Sequence, residues 1–154
     1  MNLYQKALLY AYPYLHKMIR HIDKMVVKKA LASFSIYIPC FTQANEIIRY
    51  TERKIKLIEL KEIMDEILSG FSKEDLLYVE YKYFDRRDEI TEALDTVSRK
   101  YFRKQVKLIS VFSKELIKRG LTYNWFEENY GVYPFFKEVL RRVEKAEARI
   151  KKTA

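Results

Sequence analysis

The sequence predicts an all-α protein, and three observations support this prediction. Only three glycines and three prolines occur in 154 residues, so few residues interrupt a helix. Apolar residues recur every three or four positions over long stretches, which is the period of a helix with one buried face. No stretch carries a strand signal. With 49% apolar residues and no low-complexity run, the chain is expected to fold.

The first 70 residues are predicted to form two long helices, over about residues 3–34 and 42–68. Their apolar positions keep helical spacing, with charged residues between them. The stretch 33–39 is β-branched and aromatic, ends at a proline and is interpreted as the connection. A link this short favours an antiparallel helical hairpin. Gly70 is expected to close the second helix at the left-handed position after its last turn.

This hairpin has more apolar residues than one helix–helix seam can bury, as Tyr4, Leu9, Tyr12 and Ile48 illustrate. The surplus needs a second surface, which is either the C-terminal half of the same chain or the hairpin of another subunit. We favour the other subunit by a narrow margin, because two-fold dimers are the commonest assemblies.

Three helices are predicted between residues 71 and 120, over about 72–84, 87–94 and 98–119. Ser72 is a favourable N-cap for the first, and Asp75 three residues later completes a capping box. Residues 95–97 form the turn before the third helix, which Gly120 ends.

The C-terminal segment is predicted to hold a brief helix capped by Thr122, a break at Gly131, and a last helix from Pro134 to about Lys151. Aromatic residues are dense here. We interpret them as a lid over the core of the three-helix unit, in preference to a base-stacking platform. They are Tyr123, Trp125, Phe126, Tyr130, Tyr133, Phe135 and Phe136. The predicted organisation is therefore 1–70, 71–120 and 121–154.

The most informative stretch is 98–107, which places five cations on one broad helix face: Arg99, Lys100, Arg103, Lys104 and Lys107. Residues 71–97 carry four bases and eight acids (net −4), whereas residues 98–120 carry eight bases and one acid (net +7). The helix opens on the N-cap Ser98 with cations in its first turn, where an anion such as phosphate would be stabilised. The apolar residues at 102, 106 and 109 are assigned to the opposite, core-directed face. The alternative interpretation of these cations is a solvated surface, or one that pairs with acids elsewhere in the chain such as Asp85, Asp88 and Glu89.

The segment from Ser72 to Leu116 resembles region four of bacterial sigma factors and the sigma-like regulators of phages of Gram-positive bacteria. The features that carry the resemblance are Phe71-Ser72-Lys73-Glu74, Tyr83-Phe84, Glu89-Ile90-Thr91-Glu92-Ala93-Leu94 and Val97-Ser98-Arg99. Two positions depart from the family pattern: Thr91 replaces a usual alanine, and Asp95-Thr96 replaces a single glycine in the turn. The resemblance implies a three-helix DNA-binding unit whose groove-facing helix presents Arg99, Lys100, Arg103 and Lys104.

Several function classes are disfavoured by the sequence. No nucleophile–base pair, glycine-rich phosphate loop or metal-ligand spacing occurs, so we expect no enzymatic activity, cofactor or metal. The single cysteine, Cys40, allows no intramolecular disulfide and is expected to be a buried hydrophobe. No apolar run approaches the ~20 residues of a membrane span, and no signal peptide is recognisable, so a cytoplasmic location is expected.

The sequence therefore favours a DNA-binding transcription regulator, phage-derived, that reads duplex DNA with the helix beginning at Ser98. Its net charge of +9 suits an acidic partner. Base-edge contacts are expected from Arg99 and Arg103, and phosphate contacts from Lys100, Lys104 and Lys107. RNA polymerase and a second copy of the chain are further candidate partners. The alternative is a helical adaptor or phage assembly protein in which the helix-turn-helix is structural.

Overall fold

The computed structural model of the chain describes residues 3–32, 40–84 and 99–153, and these residues are all-α. The predicted connection at 33–39, helix at 87–94, turn at 95–97 and N-cap Ser98 lie outside this described part. The helices are α1 (Leu3–Ala32), α2 (Cys40–Ser69), α3 (Lys73–Tyr83), α4 (Arg99–Lys118), α5 (Tyr123–Asn129) and α6 (Pro134–Thr153). No strand occurs among the described residues, which confirms the predicted fold class.

Three of the local signals read from the sequence begin helices as predicted. The Ser72 hydroxyl accepts the Asp75 backbone N–H at 3.1 Å and caps α3. The Thr122 hydroxyl accepts the Trp125 N–H at 3.4 Å and caps α5. Pro134 is the first residue of α6, where its missing N–H costs no helical hydrogen bond.

Gly120 ends α4 with a φ of 74°, a conformation that suits glycine because it has no Cβ. The Leu121 N–H donates to the Leu116 carbonyl and the Gly120 N–H to the Ile117 carbonyl, both at 2.9 Å. This pair of bonds is the Schellman arrangement. Gly70 was expected to behave in the same way, and this expectation is wrong. Its φ is not positive, and its N–H donates to the Ile67 carbonyl at 3.2 Å in a tight turn.

The contacts divide the chain differently from the three predicted segments. Unit 1 comprises Met1–Pro13 with Glu66–Ala154, and unit 2 comprises Tyr14–Asp65. The first turns of α1 and the last turn of α2 thus belong with the C-terminal helices. The division falls inside α1 and α2, because a helix can continue while its packing partners change.

Unit 1 has an aromatic core to which α1 contributes. Tyr4 is buried, and its hydroxyl donates to the Leu121 carbonyl at 2.7 Å. Its ring lies 5.8 Å from Phe126, which in turn lies 6.1 Å from Phe136. Lys6 of α1 also pairs with Glu147 of α6. Phe126, Tyr130 and Phe136 are therefore buried in this core together with Tyr4, whereas Tyr123 is exposed.

This packing shows which surface covers some of the apolar residues that the seam of the hairpin cannot bury. Tyr4 and Leu9 are buried within unit 1, and the Tyr12 ring lies 5.1 Å from Phe84. For these residues the second surface is the C-terminal half of the same chain, so the expectation of another subunit is wrong for them. Ile48 remains exposed.

Unit 2 is an antiparallel helical hairpin, as predicted. Lys54 pairs with Asp23 at 2.5 Å, Lys29 pairs with Glu46 at 3.0 Å, and the pairing residues run in opposite directions along α1 and α2. Its buried residues lie between Leu15 and Ile22 on α1 and between Leu57 and Met64 on α2. Cys40 is exposed, which contradicts its expected burial.

Candidate nucleic-acid interface

Helix α4 is held by the face that it turns towards α3. Its buried residues are Tyr101, Gln105, Leu108, Ile109, Phe112 and Leu116. The Gln105 side-chain amide donates to the Tyr78 carbonyl of α3 at 2.8 Å. The Tyr101 ring lies 6.0 Å from the Tyr78 ring. This face orients the remaining sides of α4 towards solvent.

The predicted core face of α4 is wrong at two of its three positions. Ile109 is buried, but Phe102 is 60% exposed and Val106 is 64% exposed. Tyr101 and Gln105, each one residue earlier, take the buried places. Tyr78 of α3 offers a ring to Tyr101 and a carbonyl acceptor to Gln105. An aliphatic side chain would not need such partners. The sequence had predicted that Phe102 and Val106 are buried together with Ile90 and Leu94, and this prediction is wrong for Phe102 and Val106. Ile90 and Leu94 lie outside the described residues.

Four of the predicted DNA-binding residues share the exposed face of α4. Arg99, Lys100, Arg103 and Lys107 are all exposed. At 100° per residue they fall within roughly 100° of arc around the helix axis. Within the described residues, none of the four forms an ion pair with an acidic side chain. The face thus concentrates positive charge that no acidic side chain of residues 3–32, 40–84 or 99–153 neutralises.

Lys104 differs from the other four cations. Its Nζ lies 2.5 Å from an Asp75 carboxylate oxygen of α3, and its side chain is only 24% exposed. The hydrogen bond to Asp75 raises the pKa of Lys104, and the nearby charges of Asp75 and Glu74 act in the same direction. Its ammonium also lies 6.0 Å from the centre of the Tyr78 ring. Lys104 therefore fastens α4 to α3, and the Asp75 carboxylate is engaged by it.

Sequence reasoning missed a continuation of the cationic face. Lys114 is exposed and lines a shallow depression whose described residues all belong to α4, together with Phe102, Arg103, Val106 and Lys107. Lys100, Lys107 and Lys114 follow each other at intervals of seven residues, which keeps them on one side of a helix. That interval was the signal available in the sequence. We call Arg99, Lys100, Arg103, Lys107 and Lys114 the cationic strip.

The exposed face of α4 carries both cations and apolar residues. Cations on a rigid helix can neutralise phosphates, and the neighbouring Phe102 and Val106 offer apolar contact. Among the described residues, no group of three or more histidine, cysteine, aspartate or glutamate side chains is placed to hold a metal ion. None of the described helices is long and apolar enough to cross a membrane.

Comparison of the chain with protein-family models, with curated proteins and with solved structures found no match. The resemblance to sigma region four therefore stays a prediction, carried by the residues quoted for it.

Proposed function

We propose that this protein binds duplex DNA through the cationic strip of α4 and acts as a transcription regulator of the sigma region-four-like type. The single observation that supports this most is a run of exposed cations, none of which pairs with an acid among the described residues, on a helix anchored by its opposite face. A solvated helix surface usually mixes charges, because pairs four residues apart stabilise it by about 0.2–0.5 kcal/mol each. The strip contains no acid, so its cations repel one another. Binding of an external polyanion would relieve this repulsion.

The roles within the strip follow from position. Arg99 and Arg103 lie nearest the start of the described helix and are proposed to reach base edges, where a guanidinium can bind guanine in a bidentate manner. Lys100, Lys107 and Lys114 are proposed to contact phosphates. Lys104, which was expected to join them, is assigned instead to holding α4 against α3. Phe102 beside Arg103 is suited to apolar contact with a thymine methyl group.

A salt titration tests this proposal. Fluorescence anisotropy with a labelled duplex should give a log affinity that falls linearly with log salt, by about 0.9 per neutralised phosphate. Lys107→Ala should make the slope shallower by about one unit, because it removes one phosphate contact. Absence of binding at low salt would refute the proposal. Equal or tighter binding of the corresponding single strand would refute its duplex component.

Lys104→Ala is the matched control, since it removes the same charge three residues earlier on the same helix. We expect it to leave the salt slope unchanged while lowering the thermal stability, because the half-buried Asp75 carboxylate loses its partner. A loss of slope equal to that of Lys107→Ala would show that net charge, and not the strip, governs binding.

The helical adaptor or phage assembly protein is the second candidate function. The observation in its favour is the exposure of apolar residues on the hairpin of unit 2, among them Phe41, Ile48 and Ile55. An assembly protein would use such a surface, and it would bind duplex DNA weakly or without dependence on Lys107.

A further inference from the structure

Part of the unit 2 hairpin contains no buried residue. In Asp23–Ala32 of α1 and Cys40–Lys56 of α2, every described side chain is exposed or half-buried. We call these two segments the exposed hairpin. It is nonetheless rich in apolar residues, of which Phe41 is 79% exposed, Ile48 is 52% exposed and Ile55 is 49% exposed. Two helices alone bury one seam, so apolar residues outside the seam remain in water.

These three residues form a stripe along α2. Phe41, Ile48 and Ile55 are separated by seven residues, and Ala44, Thr51 and Ile58 follow each of them by three. Spacings of seven and three are the a and d positions of a heptad, the pattern by which helices pair along a seam. The stripe ends at Glu59 and Glu62, which are exposed.

The stripe faces away from α1. Three α2 residues that bond to α1 are Gln43, Glu46 and Lys54: the Gln43 amide donates to the Lys29 carbonyl at 2.9 Å, and the other two form ion pairs. Gln43 follows Phe41 by two residues, which places it roughly 160° from the stripe on the short way round the helix. Helix α1 therefore leaves the stripe uncovered.

We propose that the stripe binds the same stripe of a second copy of this chain, with the two α2 helices parallel and in register. A repeating seam is complementary to itself under two-fold symmetry. Phe41, Ile48 and Ile55 would occupy the a positions of this seam, and Ala44, Thr51 and Ile58 would occupy its d positions.

The charges beside the stripe match the parallel arrangement. In a parallel pair, the position before a on one helix meets the position five residues later on the other. Lys54 of one copy then meets Glu59 of the other, and Glu59 is exposed and available for this contact. Lys54 already pairs with Asp23 of its own chain, but an ammonium has three donors and can serve both carboxylates.

The single cysteine of the chain is a natural probe of this arrangement, because exposed Cys40 immediately precedes Phe41 at one end of the stripe. In the parallel pair the two Cys40 thiols lie at the same end. In an antiparallel pair centred on Ile48 they would be separated by about 24 Å along the axis. A short bismaleimide should therefore cross-link the parallel dimer with high yield.

Analytical ultracentrifugation from micromolar to millimolar concentration should show a reversible monomer–dimer equilibrium, and the cross-linked fraction should follow the dimer fraction. Ile48→Glu should raise the dimer dissociation constant by about tenfold or more, because it places a charge in the seam. Val27→Glu is the matched control. Val27 is equally exposed apolar surface of the same hairpin but lies on α1, outside the stripe, so its replacement should leave the constant unchanged.

Circular dichroism of both variants establishes that the helices remain. A chain that is monomeric throughout overturns the proposal and leaves the exposed hairpin to a different protein. A dimer whose Cys40 residues do not cross-link, or that is weakened equally by both substitutions, overturns it as well. None of these outcomes depends on DNA, so they are separable from the test of the cationic strip.

Discussion

The two units of this molecule use the same two long helices in opposite ways. In unit 1, residues 4–11 of α1 include six that are nearly or fully buried, and Tyr4 joins a network of aromatic rings. In unit 2, the last ten residues of α1 and the first seventeen of α2 include no buried side chain. Val27, Leu31 and Ile48 lie in these segments and are exposed, although they are as apolar as the buried residues of unit 1. The apolar pattern of a helix therefore shows only which side chains could be buried. Whether they are buried depends on how many other helices pack against that part of the helix.

The comparison also separates two kinds of helix surface. The exposed side of α4 is dominated by cations, whereas the exposed side of the hairpin carries an apolar stripe. Phosphates complement the first and another apolar helix complements the second. The two surfaces of this chain therefore differ in chemistry, one being cationic and the other apolar.

The largest expected effect on stability distinguishes the buried core of unit 1 from the exposed apolar residues of unit 2 and α4. Phe126→Ala in unit 1 should lower the free energy of unfolding by about 3–5 kcal/mol, because a fully buried ring is removed. Val27→Ala in unit 2 and Phe102→Ala on α4 should change it by less than about 0.5 kcal/mol, since both side chains are exposed. Chemical denaturation measures all three. A cost for Phe102→Ala as large as that for Phe126→Ala would restore the core face first predicted for α4.

A smaller effect is expected at the turn that brings Leu121 to Tyr4. Gly120→Ala should cost about 1–2 kcal/mol, because φ is 74° there and an L-residue is strained in that region. Gly70→Ala is the control. A Cβ at Gly70 would lie 3.4 Å from the Ile67 carbonyl oxygen, an ordinary contact, so this substitution should be neutral or stabilising. Equal costs in thermal denaturation would show that the two turns are alike after all.

The smallest effect compares two buried tyrosines of unit 1. Tyr4→Phe should cost about 0.5–1.5 kcal/mol, because the hydrogen bond to the Leu121 carbonyl is lost. Tyr83→Phe should be neutral or slightly stabilising at pH 7, because the buried Tyr83 hydroxyl has no hydrogen-bond partner among the described residues.

The same pair of variants should differ in alkaline solution. Burial, assisted by Tyr10 and Glu147, raises the pKa of Tyr83 above its ordinary value. The unfolded chain then loses this proton from about pH 10 upwards while the folded chain keeps it, so stability falls as the pH rises above that value. Tyr83→Phe should make this fall shallower, by up to about 1.4 kcal/mol per pH unit. An unchanged alkaline profile would contradict the burial of the Tyr83 hydroxyl.

The sequence by itself determined the described helices and most of their ends. Ser72, Thr122, Gly120 and Pro134 act on backbone groups within a few residues of themselves, so their effect can be read without knowing what packs nearby. The exposure of most of the cationic strip could also be predicted from the sequence. Exposure of Arg99, Lys100, Arg103 and Lys107 agrees with the cost of burying an unpaired charge, which holds in any fold.

Only the tertiary structure decided which apolar residues are buried and which cation is engaged. Helix α4 carries apolar or aromatic residues over more than half its circumference, and the contact with Tyr78 selects Tyr101 and Gln105 over Phe102 and Val106. Lys104 is removed from the cationic strip by Asp75, a partner 29 positions earlier in the chain. These outcomes depend on contacts between elements distant in sequence, and a periodic pattern contains no information about which element will supply them.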